Sequence, residues 1–416
     1  LLEKQVVSIN IAEAAVVSSE DEEDIDDNDT CAAHELSAKF RFHYPQDEAS
    51  LSLKRDYVLR LCANKGFTCI AAGLSDTTVK LYDLNASGLL TAIHHERVTT
   101  VENLNNVDTI CGVRFFDDSA NVLLVGTTNG SVRLLDLRMQ GVQTEYRYKG
   151  DAGNQNGLPP VPQTISCFDL NANSRIICCG TNKYMGNAYM LFFDVRASKQ
   201  LGVYEESHDD DVTAVLFHAS NPDLLCSGST DGLINVFDIN EDDEYDALLN
   251  TINTESSVDR INWHRNEQGQ DLISCITHTN DFKCYEYKEG DELLSFDRSK
   301  ITAGILRKSA ANFNLINAHN LADGSVFLLA GTNHNRGEVL RSVTVPAKET
   351  IVPLTNFVGN KQIVRDSLYN AERNLLVTGG ESGIITVWTS DNSNIRNSSN
   401  LKSKSKAAKS HKKNPY

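Results

Sequence analysis

Residues 208–238 read HDDDVTAVLFHASNPDLLCSGSTDGLINVFD. Three short apolar runs, DVTAVLF, DLLCSG and LINVFD, are separated by the polar turns HASNP and STDG. Period-two alternation bounded by Asn-Pro and Asp-Gly signals antiparallel strands rather than helix. A single sheet of this kind leaves two faces uncovered, so the fold depends on whether the unit recurs.

It recurs six more times in order as a small or apolar strand, a turn with Gly or Asp, then an alternating strand; five of the seven copies end in an aromatic or apolar residue and an acid, and the last two are degenerate there. The copies are AAGLSDTTVKLYDL ending at Asp83, VGTTNGSVRLLDLR at Asp136, CCGTNKYMGNAYMLFFDVR at Asp194, CSGSTDGLINVFDI at Asp238, CITHTNDFKCYEY at Tyr285-Glu286, LAGTNHNRGEVLRSV at Ser342-Val343 and VTGGESGIITVWTS at Trp388-Thr389. The aligned ends lie 44 to 58 residues apart, against about 40–45 for a four-stranded propeller blade without insertions. Radial packing buries the faces of such sheets and leaves only short edges. The expected fold is therefore all-β, a seven-bladed β-propeller over residues 37–391. The last copy lacks an outer strand, because Asp391 leads directly into a polar tail. Residues 38–44 alternate polar with aromatic before Pro45, and they are expected to pair beside residues 384–389 and close the ring.

These residues resemble WD repeats, and the resemblance covers about residues 37–391. The signature dipeptide appears as Tyr82-Asp83, Leu135-Asp136, Phe193-Asp194 and Phe237-Asp238. The family's structural hydrogen-bond tetrad of His, Asp, Ser/Thr and Trp is matched by His208, Asp231 and Ser227, with Phe237 where the indole would stand. The similarity runs past the repeat consensus into the acidic loop after Asp238, so it is to a particular member of the family. What the resemblance implies is a non-enzymatic scaffold that presents loops to protein partners, without a cofactor.

The chain has 416 residues, 40% apolar, and a net charge of −17. The charge is unevenly placed. Residues 1–36 carry eleven acids and one lysine, and residues 392–416 carry seven basic residues and no acid. The body between them is acidic at −14, which disfavours broad phosphate contact by the folded part. Residues 20–29, EDEEDIDDND, self-repel and cannot bury apolar surface, so residues 1–36 read as a disordered acidic arm. Ser18 and Ser19 stand just before these acids and are candidate phosphorylation sites. Residues 150–162, GDAGNQNGLPPVP, read as an exposed connection between blades. Residues 392–416 read as a disordered basic tail. Lys402, Lys404, Lys406, Lys409, Lys412 and Lys413 are its candidate phosphate or import contacts, which suits nuclear entry or weak RNA contact.

No run of 18 apolar residues suggests a membrane span, and no secretory leader is seen, so a nuclear and cytoplasmic, reducing location is expected. The ten cysteines include no C-x-x-C pair and read as small buried hydrophobes; the adjacent Cys178 and Cys179 are the redox alternative. His218 and His264 fall at turns after strands and read as caps. No H-E-x-x-H, P-loop or nucleophile elbow is present. Asp209, Asp210 and Asp211 are a weak candidate for a hard cation, because consecutive strand residues point to opposite faces.

One interaction motif remains. Asp136-Leu137-Arg138 and Asp194-Val195-Arg196 occupy matching places in neighbouring copies and are similar to the WD-x-R boxes of cullin-4 ubiquitin-ligase substrate receptors. The reading is a scaffold that is monomeric by itself, with a ligase receptor and a ribosome-assembly or nuclear factor using the tail as the alternatives.

Overall fold

The computed structural model describes residues 31–51, 56–98, 108–116, 120–139, 142–148 and 164–390. The acidic run with Ser18 and Ser19, the insertion at 150–162 and the six tail lysines lie outside the described residues.

Seven four-stranded antiparallel blades follow one another along the chain, five as separate sheets and the sixth and seventh joined through the closing strand into one eight-stranded sheet. Their strands, a to d from the axis outward, are Val58–Ala63, Cys69–Leu74, Thr78–Leu84 and Leu90–Arg97 in blade 1, and Ile110–Phe115, Val122–Thr127, Ser131–Asp136 and Val142–Arg147 in blade 2. Blade 3 is Ile165–Leu170, Ile176–Thr181, Met190–Asp194 and Lys199–Tyr204, and blade 4 is Val212–Phe217, Leu224–Ser229, Leu233–Asp238 and Leu248–Asn253. Blade 5 is Val258–Arg265, Asp271–Thr277, Phe282–Glu286 and Glu292–Phe296, and blade 6 is Phe313–Asn320, Val326–Thr332, Leu340–Ala347 and Thr350–Phe357. Blade 7 has Val364–Asn370, Leu375–Gly380 and Ile384–Thr389, and takes its outer strand, Arg41–Ser50, from the opposite end of the chain. The recurring third strand carries the aligned ends in the register read from the sequence in six blades; in blade 6 the matching pair is Val343-Thr344 rather than Ser342-Val343, one residue further on, where that strand continues to Ala347.

Each pair of neighbouring blades encloses its own apolar cluster, seven in all. Alternation explains this: successive strand residues serve the two opposite interfaces of one blade. Cys178 and Cys179 illustrate it, the first packing toward blade 4 and the second toward blade 2. A repeated close approach sets the spacing. A Cβ on Gly228 in strand b of blade 4 would stand 2.8 Å from Cγ1 of Val258, the first residue of blade 5. The same contact recurs between Gly73 and Ile110, Gly180 and Val212, and Gly379 and Val58. In every blade the a–b register shifts near the start of strand a, as at Val212/Ala214. Such bulges bend and twist a strand, here where seven strands crowd the axis.

The closing strand differs from the sequence expectation at its start. Residues 33–39 form a short helix, α1 (Ala33–Lys39), so the acidic arm ends in ordered structure and the strand begins at Arg41 instead of 38. It also runs on through Pro45 to Ser50. Proline is tolerated because the register shifts there, between Pro45 and Asp47, leaving a bulge that needs no ladder donor. Arg41, Phe42 and His43 pair in parallel with Thr355–Phe357 of blade 6, and Tyr44–Ser50 pair antiparallel with blade 7. The Asp47 carboxylate then accepts the Leu90 N–H of blade 1 at 2.7 Å. One strand therefore ties three blades.

Gly228→Ala is expected to destabilise the protein by about 1–3 kcal/mol through overpacking, measured by urea denaturation. Adding Val258→Ala should return part of that loss, because the two residues share one contact. A neutral single substitution would show that the blade spacing does not depend on this approach.

Candidate interaction surfaces

Blade 4 holds three members of a tetrad. His208 lies in the linker before strand a; its Nε2 is 2.7 Å from Ser227 Oγ and its Nδ1 is 2.9 Å from Asp231 Oδ2. Asp231 sits in the b–c turn, where Gly232 supplies the left-handed residue (φ +87°), and it also accepts the Asp209 and Leu233 N–H groups. Burial pushes this carboxyl up, and the His208 bond and charge outweigh it, so its pKa is lowered. Phe237 is fully buried, its ring 5.4 Å from that of Tyr204, and it offers no donor to Ser227. The fourth member appears in blade 7: Trp388, at the place of Phe237, donates through Nε1 to Thr378 Oγ1 at 2.9 Å. There Asn360 takes the linker position of His208 and bonds backbone carbonyls of Gly337 and Gln362 instead. The network is split between two blades, and its members are buried structural groups.

The acids at the ends of strand c have a common task. Asp136, Asp194, Asp238 and Glu286 each accept the backbone N–H two residues on, from Arg138, Arg196, Asn240 and Lys288. Each shapes its c–d turn. In blade 2 the Arg138 fork also folds back on Asp136, Nε to Oδ1 at 2.8 Å and Nη2 to Oδ2 at 2.6 Å, and these bonds draw the Asp136 carboxyl down to about 2. In blade 3 the exposed Arg196 makes no ion pair or side-chain hydrogen bond among the described residues. The two D-x-R segments thus share a backbone turn and differ in the guanidinium. Around them Met139, Val142 and Leu201 are exposed.

The other candidates are occupied locally. Asp211 accepts the Lys183 N–H and the Asn182 amide, and Asp210 accepts the Asp211 N–H. Among the described residues no group of three or more His, Cys, Asp and Glu could hold a metal, and no helix is long and apolar enough to cross a membrane. All ten cysteines are free. Nine are buried, and burial holds the thiols of Cys178 and Cys179 well above the ordinary value.

Comparison with known proteins agrees with this geometry. The model of the WD domain, G-beta repeat, matches residues 198–238, which run from the outer strand of blade 3 through strand c of blade 4, ending at Asp238. The chain is a WD-repeat β-propeller. It is similar to the WD repeat-containing protein GTS1 of Arabidopsis thaliana, 27% identical over 81% of this chain and 82% of that protein. A WD repeat-containing protein of Saccharomyces cerevisiae is 26% identical over 64% of this chain and 75% of its own length. The WD repeat-containing protein 89 homolog of Dictyostelium discoideum is 23% identical over 86% of this chain and 92% of its own.

Within this WD-repeat propeller the sequence reading missed a chain of histidines between blades. His218 does cap its turn, accepting the Asn221 N–H at 3.0 Å, and its Nε2 also faces Asp271 of blade 5 at 3.4 Å. His264 is no cap. It lies inside strand a of blade 5 and bonds Ser274 Oγ and, across the interface, Asn320 of blade 6. His319 of blade 6 bonds Ser367 Oγ of blade 7 at 2.9 Å. The signal was present as a histidine at the end of strand a in three consecutive copies.

Burial pushes His264 down to about 4 and His319 to about 3. His43 of the closing strand, edge-on to Phe357 with its Nδ1 unpartnered among the described residues, also falls to about 4 through burial and the nearby Arg41 charge. In the unfolded chain a histidine titrates near 6.5. Between about pH 4 and 6.5 the unfolded state therefore binds more protons, and stability falls as pH falls through that window. Each histidine contributes a slope of up to about 1.4 kcal/mol per pH unit. Urea midpoints should be flat above pH 7 and drop steadily from pH 6.5 to 4.5, and His264→Asn should flatten that slope by about one proton. An unchanged slope would show that His264 titrates normally when folded.

Proposed function

We propose that this propeller is a non-enzymatic scaffold whose c–d rim on blades 2 and 3 docks a protein partner. Arg196 carries the reading. Its exposed fork is unengaged among the described residues while its neighbour Arg138 is clamped by Asp136, and a planar guanidinium of this kind suits a partner's carboxylate or carbonyls. Exposed Met139, Val142 and Leu201 add apolar area on the same two blades, the mixture that interface cores favour.

A second reading is that the partner is the adaptor of a cullin-4 ubiquitin ligase. The two D-x-R segments on adjacent blades favour it; the self-pairing of Arg138 weighs against a two-box grip. A third, a nuclear or ribosome-assembly role with RNA contact, rests on the six tail lysines alone.

Affinity purification with mass spectrometry separates these. A docking rim predicts a specific set of proteins that falls at least about tenfold with Arg196→Ala, and less with Arg138→Ala. Cullin-4 and its adaptor within that set support the ligase reading. Pre-ribosomal proteins that vanish on removal of residues 401–416 support the tail. A set of partners indifferent to both arginines would overturn the rim.

A further inference from the structure

The innermost strands of all seven blades line a solvent-connected cavity of about 800 Å³, within the usual range for ligand sites. Most of its charged groups are paired, several of them in two relays between blades, and Asp259 lies 3.7 Å from Arg260 Nε. Arg114 of blade 2 pairs with Asp169 of blade 3 at 3.2 Å, and Asp169 accepts the Phe217 N–H of blade 4. Arg260 of blade 5 reaches Asp366 of blade 7 at 3.2 Å, and Asp366 accepts the Leu61 N–H of blade 1. Arg365 pairs with Glu381.

Arg60 stands outside both relays. Its Nε donates to the Cys111 carbonyl and its Nη1 to the Leu59 carbonyl, each at 3.0 Å, and no carboxylate pairs with it among the described residues. The two carbonyls hold the guanidinium of this cavity-lining residue, and its Nη2 has no hydrogen-bond partner among the described residues. Cys111 lies three residues before Arg114 on the same strand, and the Arg114 side chain is 44% exposed with its Nε 3.2 Å from Asp169 Oδ1. Blades 1 to 3 therefore bring two cations and one carboxylate to one wall of the cavity, inside a body that is acidic overall. A partly buried, preorganised guanidinium with unused donors in a narrow channel is best satisfied by an anion with paired acceptor oxygens.

We propose that the Arg60–Arg114 wall is an oxyanion site that takes a carboxylate or a phosphate. The tied Nε and Nη1 of Arg60 set the plane of its fork, and the remaining N–H groups of both arginines meet the oxygens. The proposal stands apart from rim docking, since Arg60 does not contribute to the c–d turns.

Calorimetric titration of the full chain at low salt tests it with two probes, acetyl-Glu-Glu-Glu-amide and inorganic phosphate. Saturable one-to-one binding of either is expected, and the probe that binds names the source of the oxyanion. Arg60→Gln should weaken binding at least tenfold. Arg60→Lys, which keeps charge but loses the fork, should weaken it less, and Lys199→Gln on the outer strand of blade 3 should leave it unchanged. Circular dichroism melts establish that each variant is folded; if Arg60→Gln is not, Arg60→Lys decides. Binding of neither probe, equal binding by folded wild type and Arg60 variants, or equal loss in Lys199→Gln would overturn the site.

Discussion

The structure depends on covering both faces of every blade. Each blade has an inner strand buried along most or all of its length, such as Cys69–Leu74 or Leu224–Ser229, so both faces of the sheet need cover, and no blade can bury both by itself. Seven interfaces satisfy seven blades only when the ring is closed, and the seventh interface, between blades 7 and 1, includes Leu51 at the end of the closing strand together with Val58, Ile70, Val377 and Val387. Arg41–Ser50 is more than a fourth strand for blade 7. By pairing with blade 6 and bonding Leu90 of blade 1, it crosses the one place where chain connectivity does not already hold neighbours together.

Much of this was legible. Alternation and turn residues gave the strands, and the recurring small residue ahead of each b–c turn has a physical meaning: Gly73, Gly180, Gly228 and Gly379 stand where the next blade's first β-branched or apolar residue presses in. The terminal acid of strand c was equally readable, although the pattern did not disclose that its recurrent task is to accept a backbone N–H. Phe237, which has no indole N–H, offers Ser227 no donor. The compensating Trp388–Thr378 bond lies about 150 residues away and is local to its own blade, so the two halves of the pattern never meet.

What was not legible depended on contacts between blades. The alternation of residues 38–44 suggested a strand, yet 33–39 are helical, and the ladder extends past Pro45 because a bulge removes the need for its missing donor. His264 looked like a cap because of its place in the sequence, while its partner Asn320 belongs to another blade. Arg60 gave no signal at all, since its isolation from carboxylates is a property of the assembled channel. The D-x-R segments lie between these cases: their shared turn follows from spacing, and the different fates of Arg138 and Arg196 follow from side-chain geometry.

The central claim is that the closing strand belongs to the global cooperative unit. Native-state hydrogen exchange measures this directly. The protected amides among residues 47–50 should exchange with an opening free energy within about 1 kcal/mol of those in Leu224–Ser229 of blade 4, because both require ring opening. Exchange of residues 47–50 through an opening several kcal/mol cheaper, with blade 4 still protected, would contradict it and make the clasp a peripheral strand on a ring that holds without it.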